Sequence, residues 1–128
     1  MNIVLFRHGR PNIRTDAWVS ASEISRWIEA YDAADIDPAH PPPEASISQA
    51  GECAFCVCSD LPRSRASAVM LGIEQVGACD PVFRELALPY AEWRLPRLPL
   101  ITWAALFRLA WLFGYARNGE SLRKARGR

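Results

Sequence analysis

The sequence predicts an α/β domain in which helices cover a mostly parallel sheet. Three observations carry that expectation. A run at residues 2–7 with apolar Ile3–Phe6, two of them β-branched, ends abruptly in arginine, histidine and glycine, the pattern of a short strand buried on both faces. Strand-like and helix-like stretches then alternate along the chain, as layered α/β architecture requires. Half of the 128 residues are hydrophobic and the formal net charge is only +1, which fits a single domain spanning residues 1–128.

The elements follow in order. After the strand at 2–7, "DAWVSASEISRWIEAYDAAD" places Trp18, Ile24, Trp27, Ile28 and Tyr31 at mostly helical spacing, with Ser20 or Ser22 as cap and Glu23 in the first turn. "DPAHPPPEAS" is an irregular connector, because its prolines cannot donate to a ladder or sit inside a helix. "SQAGECA" reads as a helix and "FCVCS" as a second buried strand. Pro62 stands where a helix can begin, since the first turn tolerates a missing amide proton. "RSRASAVMLGIEQV" carries that helix to Gly77, and "DPVFREL" reads as a third strand. Residues 95–115 form an apolar helical segment interrupted by prolines and Arg108, and the basic tail "SLRKARGR" lacks apolar anchors. No internal repeat is visible.

Composition narrows the functional classes. Near-neutral charge argues against nucleic acid as a partner. The apolar N-terminal run is broken at Arg7, so it does not read as a secretory signal, and the expected location is the cytoplasm. Residues 98–115 leave a membrane-associated role as one class to test, although the prolines and Arg108 weaken a spanning helix. "CAFCVC" superficially suggests metal, but the spacing lacks four ligands converging from a loop. Cys56 and Cys58 instead share one face of a strand, as small buried thiols, and no metal is expected.

Chemistry concentrates at the predicted strand ends. A histidine just beyond the carboxyl end of a parallel strand occupies the usual ligand position of open α/β folds. Arg7 and Arg10 flank His8, and Gly9 lets backbone approach a ligand closely. Guanidinium groups match phosphate and carboxylate, and a neutral imidazole is a nucleophile towards phosphorus. Two readings stand on these residues alone: an oxyanion pocket with a nucleophile at its base, and a surface histidine in a basic turn. At the second strand end, Ser59, Arg63 and Arg65 gather at a strand-to-helix junction, where amides and helix dipole favour anions. Arg63 and Arg65 face different directions on one helix, so only one need reach the pocket.

These stretches resemble the histidine phosphatase superfamily, the phosphoglycerate mutase-like group. "LFRHGRPN" matches its Arg-His-Gly signature, and "ISQAGECA" resembles its Thr-x-x-Gly helix start, with Ser48 and Gly51 in the named positions. "SDLPRSRASA" resembles the Ser-x-Leu-x-Arg-Ala-x-x-Thr-Ala element, "FREL" the Leu-x-Glu stretch, and "NGESL" the Gly-Glu-Ser element. The resemblance runs in order from residue 1 to about residue 122. It implies a three-layer fold, a mostly parallel sheet with helices on both faces, and hydrolysis of phosphomonoesters through a phosphohistidine on His8. It also implies that Arg7 and Arg63 hold the phosphate, that Glu85 protonates the leaving oxygen, and that no cofactor is used. The partner is then a phosphorylated small molecule. Read without the resemblance, Glu85 is a solvated strand-end carboxylate.

The resemblance also requires a second histidine in a late His-Gly element, and none follows "GESL". The remaining histidine, His40, lies before the second strand in a proline-rich stretch and reads as a loop residue. The expectation is therefore a domain incomplete at its C-terminal end, truncated before that histidine, which exposes apolar surface and an unpaired sheet edge. A split or homo-oligomeric protein and a relative that binds phosphorylated ligands without turnover are the competing readings. Substrate choice is expected in "LALPYAEWRLPRLPLITW", where Trp93, Arg94, Arg97 and Trp103 either meet a bulky anion or pack helices.

Overall fold

The computed structural model describes residues 2–87 and 89–119. In chain order the elements are β1 (Trp18–Val19), a 3-10 turn (Ala21–Glu23), α1 (Ile24–Ala33), α2 (Glu44–Gly51), β2 (Val57–Cys58), α3 (Pro62–Met70), β3 (Ala78–Cys79), a second 3-10 turn (Pro81–Phe83), β4 (Leu98–Pro99) and α4 (Leu100–Leu112). Helices and short strands alternate, so the α/β class holds in its coarse form. The described strands form two two-stranded sheets, β1–β4 antiparallel and β2–β3 parallel. The described residues fall into two units, one of 2–13 and 31–84, the other of 14–30, 85–87 and 89–119.

The first unit centres on the β2–α3–β3 segment. Parallel strands need a crossover, and α3 supplies it. Val57 pairs with Ala78 and Cys58 with Cys79, and the amides of Gly77 and Asp80 donate to the carbonyls of Cys56 and Cys58. The buried strand expected over 55–59 is reduced to Val57–Cys58: Cys58 is buried and Cys56, just before the strand, is half-buried, whereas Phe55 and Val57 are exposed. Burial pushes the Cys58 thiol up to about 11, and its sulfur lies 3.8 Å from that of Cys79. Pro62 opens α3 at the expected position.

Three expectations fail in this unit. Residues 2–10 form no strand, and Ile3 and Leu5 are 74% and 91% exposed. An apolar run becomes a buried strand only where a neighbour offers a ladder, and β2 pairs with β3 instead. The third helix ends at Met70 rather than at Gly77. Gly72, at φ 78°, donates to the Val69 carbonyl and Ile73 donates to that of Ala68, a paired C-terminal cap that a left-handed glycine permits. The third strand lies at 78–79 rather than 80–86, because Asp80 accepts from the Val82 amide and starts a 3-10 turn at Pro81. In addition, α2 begins behind Pro43 and ends at Gly51, so Ser48 stands in the middle of a helix and Gly51 at its end, not at its start.

The second unit holds the apolar cluster of Ala21, Ile24, Ala91, Trp103 and Phe107, with Val19, Ile28, Tyr90, Leu98 and Tyr115 packed around it. Trp103 stacks on Phe107 with ring centroids 5.4 Å apart, and its indole N–H donates to the Val19 carbonyl at 2.8 Å. Trp18 and Val19 are strand, not helix, and the turn starts at Ser20. There the Ser20 amide donates to the Glu23 carboxylate at 2.8 Å, half of a capping box. Arg97 braces the same corner, donating to the Trp18 carbonyl and pairing with Glu23. Among the described residues, no helix is long and apolar enough to cross a membrane.

Candidate functional site

His8 lies in the irregular segment that leads from the N-terminus to Pro11. That segment is anchored after the histidine, where Pro11 bridges Ile36, the Asn12 amide donates to Asp35 and the Asp37 amide donates to Arg10. A second anchor comes from α3. The Gly9 amide donates to Ser67 Oγ at 2.8 Å, and that hydroxyl donates to the Arg63 carbonyl at 2.6 Å. Gly9 is close to protein here, since a Cβ on it would meet Ile36 Cγ2 at 3.4 Å.

The half-buried His8 ring is held at both nitrogens. Nδ1 lies 2.8 Å from the Gly9 carbonyl oxygen, and Nε2 lies 3.2 Å from the Tyr31 hydroxyl. A carbonyl only accepts, so Nδ1 carries the proton. In the neutral ring the lone pair then resides on Nε2, where the Tyr31 hydroxyl donates to it. This is the tautomer an imidazole nucleophile needs.

Arg63 is 2% exposed, the most buried charged side chain among the described residues. Its guanidinium carbon sits 4.2 Å above the centre of the Tyr31 ring. Nη1 donates to the Tyr31 carbonyl at 2.8 Å, and Nη1 and Nη2 both reach Asp32 Oδ1 at 3.3 Å. The buried Nε has no hydrogen-bond partner. Arg63 therefore reaches His8 through Tyr31, and its charge is met by Asp32. Arg65 is exposed.

One cavity of about 230 Å³ opens beside His8. Arg7, exposed, lines it together with His8, and so does His40. The His40 Nδ1–H donates to Asp37 at 2.9 Å, and its Nε2 accepts from Arg10 at 3.1 Å. The Ala39 amide and His40 hold the Asp37 carboxyl below its usual range. Ser59, expected at this junction, is buried, and its carbonyl accepts from the Cys79 thiol.

The structure thus brings together His8, Arg7 and, through Tyr31, Arg63. Glu85 is exposed and belongs to the second unit. Tyr31, Asp32, Ser67 and His40 were not legible as site residues. Tyr31 read as part of an apolar helix face and His40 as a proline-flanked loop residue. Ser67 alone carried a signal, standing one helical turn beyond Arg63 on the same face. Among the described residues no cluster of histidine, cysteine and carboxylate side chains has the arrangement of a metal site. Comparison with protein-family models, curated proteins and solved structures gave no match to this chain.

Proposed function

We propose that the chain is a phosphomonoester hydrolase of the histidine phosphatase type, with the three-layer, mostly parallel architecture that its motifs imply. The observation that carries the reading is the His8 tautomer. Nδ1–H is committed to the Gly9 carbonyl, Nε2 carries the lone pair that the Tyr31 hydroxyl engages, and His8 lines a cavity that Arg7 also lines. In this reading Tyr31 releases Nε2, whose lone pair attacks phosphorus in line. The P–N bond forms as the ester P–O bond breaks, and the leaving oxygen takes a proton. Water then attacks the phosphohistidine, loses a proton and returns His8 with free phosphate. Arg7 stabilises the charge on the phosphoryl oxygens. The proton-donor role of Glu85 rests on the resemblance alone. No cofactor enters the reaction.

The purified chain is incubated with phenyl phosphate, quenched, and assayed for acid-labile phosphate on the peptide carrying His8. A phosphohistidine there, with turnover lost in His8→Ala, supports hydrolysis; equal turnover in that variant refutes it.

A second reading, binding of phosphorylated ligands without turnover, is favoured by the engagement of Arg63. Its guanidinium is already paired with Asp32 and stacked on Tyr31, and so is not free to hold a phosphoryl group. It predicts saturable vanadate binding without any phosphohistidine.

A further inference from the structure

We infer that the His8 cavity selects phosphomonoesters whose organic part is compact and apolar, and that the proline loop Pro41–Pro43 is the wall that selects them. The inference rests on His8 as the phosphoryl site and names the class of substrate it would take.

The cavity divides by chemistry. Arg7 and His8 supply its cation and its imidazole. The remaining lining is largely Phe6, Ile36, Met70, Leu71 and the three prolines, whose side chains neither donate nor accept hydrogen bonds. The prolines also lack amide protons, so this stretch of backbone offers carbonyls only. Of the other polar side chains in the lining, His40 and Ser67 are already committed, which leaves the Ser46 hydroxyl. His40 is bonded at both ring nitrogens, to Asp37 and Arg10, and Ser67 accepts from Gly9 while donating to Arg63. A sugar or polyol phosphate entering here would give up hydrogen bonds to water and recover few of them. That loss discriminates strongly against hydroxyl-rich ligands. An aryl or short alkyl group would bury apolar surface at no such cost.

Size and rigidity act in the same direction. A volume of about 230 Å³ lies below the usual range for drug-sized ligands, and so suits a phosphoryl group with a small body. The segment that leads into the loop is tied back to the His8 segment by the Asn12–Asp35 and Asp37–Arg10 backbone bonds and the Pro11–Ile36 bridge. In it the Asp37 carboxylate accepts from the Ala39 amide. Three consecutive prolines add stiffness, so the wall is formed before a ligand arrives.

The test uses three non-hydrolysable probes on the full chain: phenylphosphonate, methylphosphonate and 2,3-dihydroxypropylphosphonate. Binding is followed by the amide resonance of Gly9. Phenylphosphonate is expected to bind about tenfold more tightly than the diol. Pro42→Ser, which puts a hydroxyl in the proline wall, is expected to reduce that preference severalfold. Met70→Gln, which puts an amide elsewhere in the lining, is the second variant should Pro42→Ser fail to fold. Equal affinity for phenyl and diol probes, an unchanged preference in a folded variant, or no saturable binding of any probe overturns the inference. Phosphohistidine trapping reports separately on turnover. An apolar preference without phosphohistidine keeps the substrate class and removes the hydrolase, whereas phosphohistidine without the preference does the reverse.

Discussion

Tyr31 donates its hydroxyl proton to Nε2 of His8 across 3.2 Å, with the two rings edge to face and their centroids 6.2 Å apart. The tyrosine thus occupies the lone pair that phosphoryl transfer would use. Tyr31→Phe removes that hydrogen bond and keeps an aromatic face beneath Arg63. A hydrogen bond of about 1 kcal/mol corresponds to roughly a fivefold change in availability. Modification of His8 by diethyl pyrocarbonate, followed by peptide mass spectrometry, is therefore expected to be about fivefold faster in this variant. An unchanged rate would show that Tyr31 does not guard the ring.

The buried guanidinium of Arg63 ties α3 to Tyr31 and Asp32. Arg63→Ala leaves the Tyr31 carbonyl without this donor and removes the cation from the ring. It is expected to lower the unfolding free energy by about 2 kcal/mol. Asp32 is 44% exposed and Asp32→Asn keeps the acceptor oxygen, so this variant is expected to cost less than Arg63→Ala. Urea unfolding of the two variants checks the order.

Acid loosens the turn at Asp37–His40. The Ala39 amide, followed by His40, holds the Asp37 carboxyl below its ordinary value of 3.8. The Ser20 amide and hydroxyl hold Glu23 below 4.5. Both folded values lie below the unfolded ones, so their contribution to stability is present above the unfolded value and is lost as pH falls through the folded one. Titration of the Ala39 and Ser20 amide resonances is expected to give midpoints below 3.8 and 4.5 respectively. Asp37→Asn is expected to abolish the transition at Ala39 and leave the one at Ser20.

Trp103 is 3% exposed and carries the centre of the second unit's core. Trp103→Ala removes both the stack on Phe107 and the donor to Val19, and is expected to cost about 3–5 kcal/mol in thermal unfolding. Trp103→Phe keeps a ring against Phe107 but leaves the Val19 carbonyl unmatched, at a cost of about 1–3 kcal/mol.

Elements whose local chemistry is self-sufficient were legible. Pro62 marks the start of α3 because a missing amide proton matters least at that position. Ser20 with Glu23 marks the turn into α1 because their bond closes over three residues. Cys58 lies buried in a strand as its apolar setting implies, although that strand is only two residues long. Gly72 was equally local, but the apolar spacing that runs on to Val76 masked it. The segment at 2–7 was misread because strand formation depends on a distant partner, which no local pattern specifies.

By itself, the sequence determined the α/β class, the start of α3 and the presence of His8, Arg7 and Arg63. These follow from propensity, capping and residue chemistry, which act over a few positions. Only the tertiary structure decided what those residues meet. The bond from Nδ1 to the Gly9 carbonyl is set by backbone torsions. Tyr31, 23 residues away, reaches Nε2 because α1 brings it there. Asp32 meets Arg63 across 31 residues, and the proline loop lines the His8 cavity because Arg10 and Asp37 bond backbone to backbone. Such contacts depend on chain separation closing in space, and their energies belong to no single stretch of sequence.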